Sequence, residues 1–297
     1  MISGRTKLFC IVADPIGHVR TPQMFNAHLE KCGIDAVLVP VHVTPDKLSE
    51  VVQGLRSVSN LRGIVVTVPH KISMLEFCDE FDASASIAGA VNILRRDASG
   101  RMTGANFDGV GFRQSLEDAT GSIAGKSIYL AGAGGVARAI AFSLADAGIR
   151  HLSICNRSQN KAEELLAAVQ KRFPDVGTSV ADDRPELVDV AVNATSLGLK
   201  ASDGLPFAID RLKASAVVAD VVMEPIMTKL LTAAEKKGHQ IVRGDAMLKF
   251  QLQSWVEFID NCPSLGPMPS VTIPQTNPAS LVAPANQIGH AKVAGQR

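Results

Sequence analysis

A chain of 297 residues, 46% hydrophobic and 20% charged, has room for one large or two ordinary domains and enough apolar content for a real core, which argues against disorder. A net charge of +1 with one Trp and one Tyr provides neither basic excess nor stacking surface, so the expected partner is a small-molecule substrate and not nucleic acid. No apolar run reaches the roughly 18 residues of a membrane span, and Met1 to Lys7 lacks a signal peptide's apolar stretch, so no membrane association and a cytoplasmic location are expected.

Lys7 to Ala13 reads as a buried strand, and Asp14-Pro-Ile-Gly-His18 as the loop after it. Thr21 as N-cap, Pro22 at the first helical position, and Met24, Phe25, His28, Leu29 and Cys32 on one face predict a helix that Gly33 stops. Ala36 to Val43 is a second strand, after which Thr44-Pro45 caps a helix through Val51, Val52 and Leu55. Gly63 to Val68 is a third strand, broken by Pro69 and followed by a helix containing Met74, Leu75 and Cys78. Such alternation specifies a parallel sheet. Ala90 to Arg95 and Met102 to Asn106 read as an antiparallel pair at its edge, and a helix from Asp108 to Asp118 leads out of the unit.

Gly121 to Gly125 marks the entry into a second α/β unit. Its first strand runs from Ser127 into the turn Gly132-Ala133-Gly134-Gly135-Val136-Ala137, where the chain becomes helical in composition. This is a dinucleotide-binding pattern: Gly132 allows the turn, Gly134 lets a pyrophosphate approach the backbone, and Ala137 permits close helix packing. A second strand, His151 to Cys155, ends in Asn156-Arg157-Ser158, with Lys161 one helical turn on. An acidic residue there would bind a free ribose 2′-hydroxyl, whereas Arg157 and Lys161 pair with a 2′-phosphate, so NADP is the expected cofactor. A helix at Lys161 to Lys171, strands at Val188 to Asn193, Val217 to Val222 and Gln240 to Val242, and an amphipathic helix from Ala246 to Ile259 follow. Beyond about Asn261 the composition turns to Pro, Ser, Asn, Gln and Gly, a loose tail. The five cysteines (Cys10, Cys32, Cys78, Cys155 and Cys262) form no C-x-x-C pair and have no clustered histidines, so no metal is expected.

The ordered motifs Asp14-Pro-Ile-Gly-His18-x-x-Thr-Pro22 with Asn26, Val66-Thr-Val-Pro-His-Lys71, Gly89-Ala-Val-Asn92, Gly104-x-Asn-x-Asp108-x-x-Gly111, the glycine turn, Asn156-Arg157, Asn193-Ala-Thr-Ser196 and Gly244-x-x-Met-Leu-x-x-Gln251 resemble the shikimate dehydrogenase family. The resemblance runs to about Ile259. It implies an α/β substrate-binding catalytic domain (1–120, completed by 246–262 as the last helix packs back), a Rossmann NADP-binding domain (121–245) and a tail (263–297), with a homodimer as the assembly to consider. It further implies Lys71 and Asp108 as the catalytic pair, because a desolvated lysine can exchange the carbonyl or alcohol proton while a carboxylate holds it in place. Asn92, Gln251 and Thr67 would contact ring hydroxyls, joined by the positions of Val19, Thr21 and Met223, and Thr195, Val221 and Gly244 would add to the cofactor site. His18 and His70 adjoin matched motifs, and neither is assigned a catalytic role.

The chain departs from the family's pattern where a carboxylate would be held. Val19-Arg20-Thr21 replaces the usual Ser-x-Ser, Val65 an Asn, and Met223 a Tyr. The implied activity is interconversion of a cyclic hydroxy acid and its ketone, shikimate and 3-dehydroshikimate by default. The alternatives are a paralogue acting on quinate or on another modified or less polar alcohol, and a catalytically silent binding homologue. Arg20 is the one nearby cation that could recapture a carboxylate.

Overall fold

The computed structural model describes residues 2–17 and 19–260. Strand β1 (Lys7–Ala13), helix α1 (Thr21–Lys31), β2 (Ala36–His42), α2 (Leu48–Arg56) and β3 (Leu61–Val66) alternate as expected, and β1 pairs in parallel with both β2 and β3. The pleat sends alternate β1 side chains to opposite faces. Phe9 and Ile11 pack with Phe25 and Leu29 of α1, while Cys10 and Val12 pack with Leu48 and Val52 of α2. Burial pushes the Cys10 thiol up to about 12, so it behaves as a small core hydrophobe.

Several local expectations change. The cap of α1 is Arg20, without a side-chain bond, and Thr21 lies inside the helix. Pro45–Lys47 forms a 3₁₀ turn before α2, and Ser73–Phe77, expected as an α-helix, is another; five residues are too few to sustain an α-helical nucleus. In this unit two elements were not anticipated, β4 (Glu80–Phe81) and α3 (Ala83–Ala88). Ala-Ser-Ala-Ser carries no apolar period, but both its ends are defined. Asp82 accepts from the Ala85 N–H, and Gly89 closes the helix at φ +61°. The antiparallel pair is β5 (Ile93–Arg96) and β6 (Met102–Ala105), and α4 (Asp108–Thr120) follows. The first sheet has the order β2-β1-β3-β5-β6-β4.

The second sheet is built from β7 (Ser127–Ala131), α5 (Gly135–Asp146), β8 (His151–Cys155), α6 (Gln159–Arg172), β9 (Gly177–Val180), β10 (Val190–Asn193), β11 (Val217–Asp220), α7 (Lys229–Lys236) and β12 (Ile241–Val242). β9 and α7 were not expected, since Thr178 and Ser179 and the lysines of α7 mask their patterns. All its pairings are parallel, in the order β12-β11-β10-β7-β8-β9. The order reverses between β7 and β10, which opens the crevice where a doubly wound sheet binds a dinucleotide.

Helix α8 (Gly244–Asp260) then returns to the first sheet. Its Leu248, Leu252, Trp255 and Ile259 join Phe9, Ile11, Phe25 and Leu29 in one core cluster, with Trp255 edge-on to Phe25 at 5.8 Å between ring centroids. Among the described residues no helix is long and apolar enough to cross a membrane. His18, Cys262 and the expected tail lie outside the described residues.

Candidate active site

The site is organised by the first turn of α4. Asp108 opens that helix, where the free backbone N–H groups favour a carboxylate, and its side chain is 3% exposed. A carboxylate buried this deeply needs donors. It has three: Lys71 Nζ donates to Oδ2 at 2.7 Å, and Asn92 Nδ2 and Gln251 Nε2 each donate to Oδ1 at 2.9 Å. Asn106 closes the turn by accepting from the Asp108 N–H at 3.0 Å. Lys71 follows the end of β3, Asn92 precedes β5, and Gln251 comes from α8. Three separate segments therefore converge on the carboxylate that a fourth, α4, presents.

Two glycines of α4 permit this convergence. A Cβ on Gly111 would stand 2.6 Å from Gln251 Cγ and 2.9 Å from the Met247 carbonyl oxygen, so the bare backbone lets α8 come close enough for Gln251 to reach Asp108. On the other flank, a Cβ on Gly109 would lie 2.1 Å from the Ala139 carbonyl oxygen of α5. Helix α4 is thus in backbone contact with both neighbours.

Around this cluster lies a cavity of about 170 Å³. Its lining includes Thr21, Thr67, Lys71, Asn92, Asp108 and Gln251 from the first unit and α8, and Val136, Val221 and Met223 from the second unit. The predicted substrate residues are therefore brought together, with two refinements. Asn92 and Gln251 hold Asp108, and Asn92 Oδ1 also accepts from the Phe107 N–H at 3.0 Å, so each amide turns only its remaining valences to a ligand. Val19 stands in an outer recess with Arg20, Met223 and Glu224. Arg20 does not turn inward: its Nε lies 2.8 Å from Glu224 Oε2, an ion pair joining the first unit to the second across the mouth. His70 is buried and donates from Nε2 to the Val43 carbonyl at 2.7 Å, a structural engagement.

The glycine turn has the form a dinucleotide requires. Gly132 sits at φ +114°, where a Cβ would meet the Ala194 carbonyl oxygen at 2.8 Å, and Gly134 is the N-cap of α5. A Cβ on Gly134 meets nothing within 4 Å, so space is open before the helix. The N–H groups of Gly135, Val136 and Ala137 have no partner inside the helix and suit a pyrophosphate. At the end of β8, Asn156 Nδ2 donates to the Ser158 carbonyl at 2.9 Å and shapes the turn. Arg157 and Lys161 are exposed, and neither pairs with a carboxylate among the described residues, as a 2′-phosphate site needs. The residues present thus fit NADP. Thr195 is committed to its own loop, its Oγ1 donating to Asn193 Oδ1 at 2.7 Å, and Gly244 is required for packing, since a Cβ would stand 2.4 Å from the Val222 carbonyl oxygen.

Two features escaped the sequence reading. Trp255 lines the cavity at 2% exposure, and its Nε1 has no acceptor among the described residues. Asp220, at the end of β11, is buried and accepts from Asn193 Nδ2 (2.9 Å), Thr228 Oγ1 (2.7 Å) and the Val222 N–H (3.0 Å). Burial outweighs these bonds and pushes its carboxyl up to about 6. The Asp220 signal lay in two separated polar residues, Asn193 and Thr228, which only the fold unites. Among the described residues no group of three His, Cys, Asp or Glu side chains is placed to hold a metal.

Residues 11–94 match the family model for the shikimate dehydrogenase substrate binding domain, and residues 114–198 match that for shikimate / quinate 5-dehydrogenase. The shikimate dehydrogenase (NADP(+)) of Lysinibacillus sphaericus is 38% identical over 251 residues, 82% of this chain and 89% of that protein. Among solved structures, a shikimate dehydrogenase in complex with NADP+ superposes with a TM-score of 0.80 at 32% identity, covering 87% of this chain and 91% of that one. The ligand-free 5-ketofructose reductase of Gluconobacter sp. strain CHM43 gives a TM-score of 0.78 at 33% identity, covering 86% and 93%.

Proposed function

The chain belongs to the shikimate dehydrogenase family, and from that premise we propose that Lys71 carries the proton of the reaction while Asp108 holds it in place. The protein is an NADP-dependent oxidoreductase of the shikimate dehydrogenase type, interconverting a ring alcohol and its ketone. Shikimate is the alcohol its relatives' names supply, and 3-dehydroshikimate is the ketone taken with it. The observation that carries the mechanism is the 2.7 Å bond from Lys71 Nζ to Asp108 Oδ2 at the floor of a cavity reached by both units.

NADP bound at the glycine turn would supply the hydride chemistry. The chain's own residues do the rest. In reduction, the Lys71 ammonium gives a proton to the carbonyl oxygen and is recharged through the open cleft; in oxidation, the neutral amine accepts the hydroxyl proton. Asp108 accepts from Lys71 on one oxygen, which fixes where Nζ points, and Asn92 and Gln251 keep the carboxylate from turning away. Arg157 and Lys161 would hold the 2′-phosphate, and the N–H groups of Gly135, Val136 and Ala137 the pyrophosphate.

The same reading divides the chain into a substrate domain at 1–120 completed by 246–262, a cofactor domain at 121–245, and a terminal segment at 263–297. It extends to a cytoplasmic enzyme, assembling if at all as a homodimer, with no nucleic acid partner. NADPH oxidation with 3-dehydroshikimate and related ring ketones tests it. Lys71→Ala should lower kcat by about two to four orders of magnitude with cofactor affinity unchanged. A wild-type protein that binds NADPH yet reduces no ketone would identify a silent homologue and refute the proposal.

A further inference from the structure

The cavity offers little to a carboxylate. Lys71 is the only cation among its lining residues, and its ammonium is already on Asp108. Arg20 is held at the mouth by Glu224. Asn26, the other polar residue of the first motif, spends its amide on the backbone of Leu38, donating to the carbonyl at 2.9 Å and accepting from the N–H at 2.7 Å. Ile11, Val65, Leu248 and Trp255 form much of the remaining wall and belong to the core cluster shared by β1, α1 and α8. A carboxylate entering here would lose its water against apolar carbon, with only the Thr21 and Thr67 hydroxyls and the spare amide N–H groups of Asn92 and Gln251 as neutral donors.

We propose that this site selects an uncharged polyhydroxylated ketone over its carboxylate-bearing counterpart. The inference rests on the assignment of this cavity as the substrate site, and the test separates the two. Two ring ketones are compared, 3-dehydroshikimate and the analogue in which a hydroxymethyl group replaces the carboxylate. Each is titrated into the complex with NADP+, in which a ketone cannot be reduced, and binding is followed by calorimetry and by the fluorescence of Trp255, the sole tryptophan.

The hydroxymethyl ketone should bind at least tenfold more tightly. Val65→Asn should narrow that gap by improving 3-dehydroshikimate. Equal or tighter binding of 3-dehydroshikimate, or no binding of either ketone, would overturn the inference. A clear binding preference without NADPH oxidation would instead count against the catalytic role of Lys71 and leave the substrate class standing. Should Val65→Asn fail to fold, Met223→Tyr, at the exposed rim of the cavity, makes the same comparison.

Discussion

Replacing Gly111 by Ala adds one methyl group at the closest point between α4 and α8. Its carbon would stand 2.6 Å from Gln251 Cγ and 2.9 Å from the Met247 carbonyl oxygen, roughly 1 Å inside the usual 3.5–4.0 Å contact. The carbonyl oxygen belongs to the helix backbone, so α8 itself has to move, and Gln251 moves with it. A shift of that size opens the 2.9 Å bond to Asp108 Oδ1 beyond hydrogen-bonding range. Overpacking of this kind costs about 1–3 kcal/mol, and a lost bond to a charged group about 1.5–3 kcal/mol. The expected outcome is a fall in kcat of about ten- to a hundredfold as Asp108 loosens its hold on Lys71, with a lowered Tm. Gln251→Leu, which removes the bond without the added carbon, should reproduce most of the kcat effect and little of the overpacking. Steady-state NADPH oxidation and thermal unfolding of both variants provide the comparison. Wild-type kcat in Gly111→Ala alongside a reduced kcat in Gln251→Leu would refute the claim that the glycine sets the position of the amide.

Arg157→Ala should reduce kcat/KM for NADPH by one to two orders of magnitude and leave the NADH value nearly unchanged, because only NADPH carries the 2′-phosphate; equal losses with both cofactors would contradict the pairing. Asp220 makes a pH prediction. Its carboxyl, raised from 3.8 to about 6 in the fold, binds its proton more tightly there than in the unfolded chain. Its stabilising contribution is therefore complete below about pH 4 and lost as pH rises through 6, about 3 kcal/mol in all. Denaturant unfolding of Asp220→Asn beside wild type should show the variant gaining on wild type between pH 4.5 and 7.5, and a flat or opposite trend would rule the raised carboxyl out.

The unbroken apolar run from Leu8 to Ala13 announced a buried strand, and the glycine turn with Arg157 announced the nucleotide crevice and its phosphate preference. These signals are local, so a few adjacent residues carry them. Asp108-x-x-Gly111 was visible as a motif, but the reason for its glycine was not, because the clashing atoms belong to residues 247 and 251. The same distance hid the place of Trp255 in the cavity wall and the ion pair of Arg20 with Glu224, which turns that arginine away from the role of carboxylate anchor considered for it. Asn92 and Gln251 were legible as motif residues, yet their orientation depends on the demand of Asp108 for donors, and that demand arises only with burial. Helix α3 was missed because its ends carry the information that its small residues lack.

The return of α8 also governs the order of synthesis. The cluster around Phe9, Ile11, Phe25 and Leu29 is closed by Leu248, Leu252, Trp255 and Ile259, so the half of the protein that leaves the ribosome first is completed last. Until residue 259 has been made, the first sheet must wait with that face uncovered, while the whole second sheet can form. In the finished molecule the cofactor unit is in effect an insert held by its two ends, at the exit of α4 and the entry of α8. Exchange of the segment between them is therefore a route to a different nicotinamide preference that leaves Lys71, Asp108 and Gln251 on their original supports.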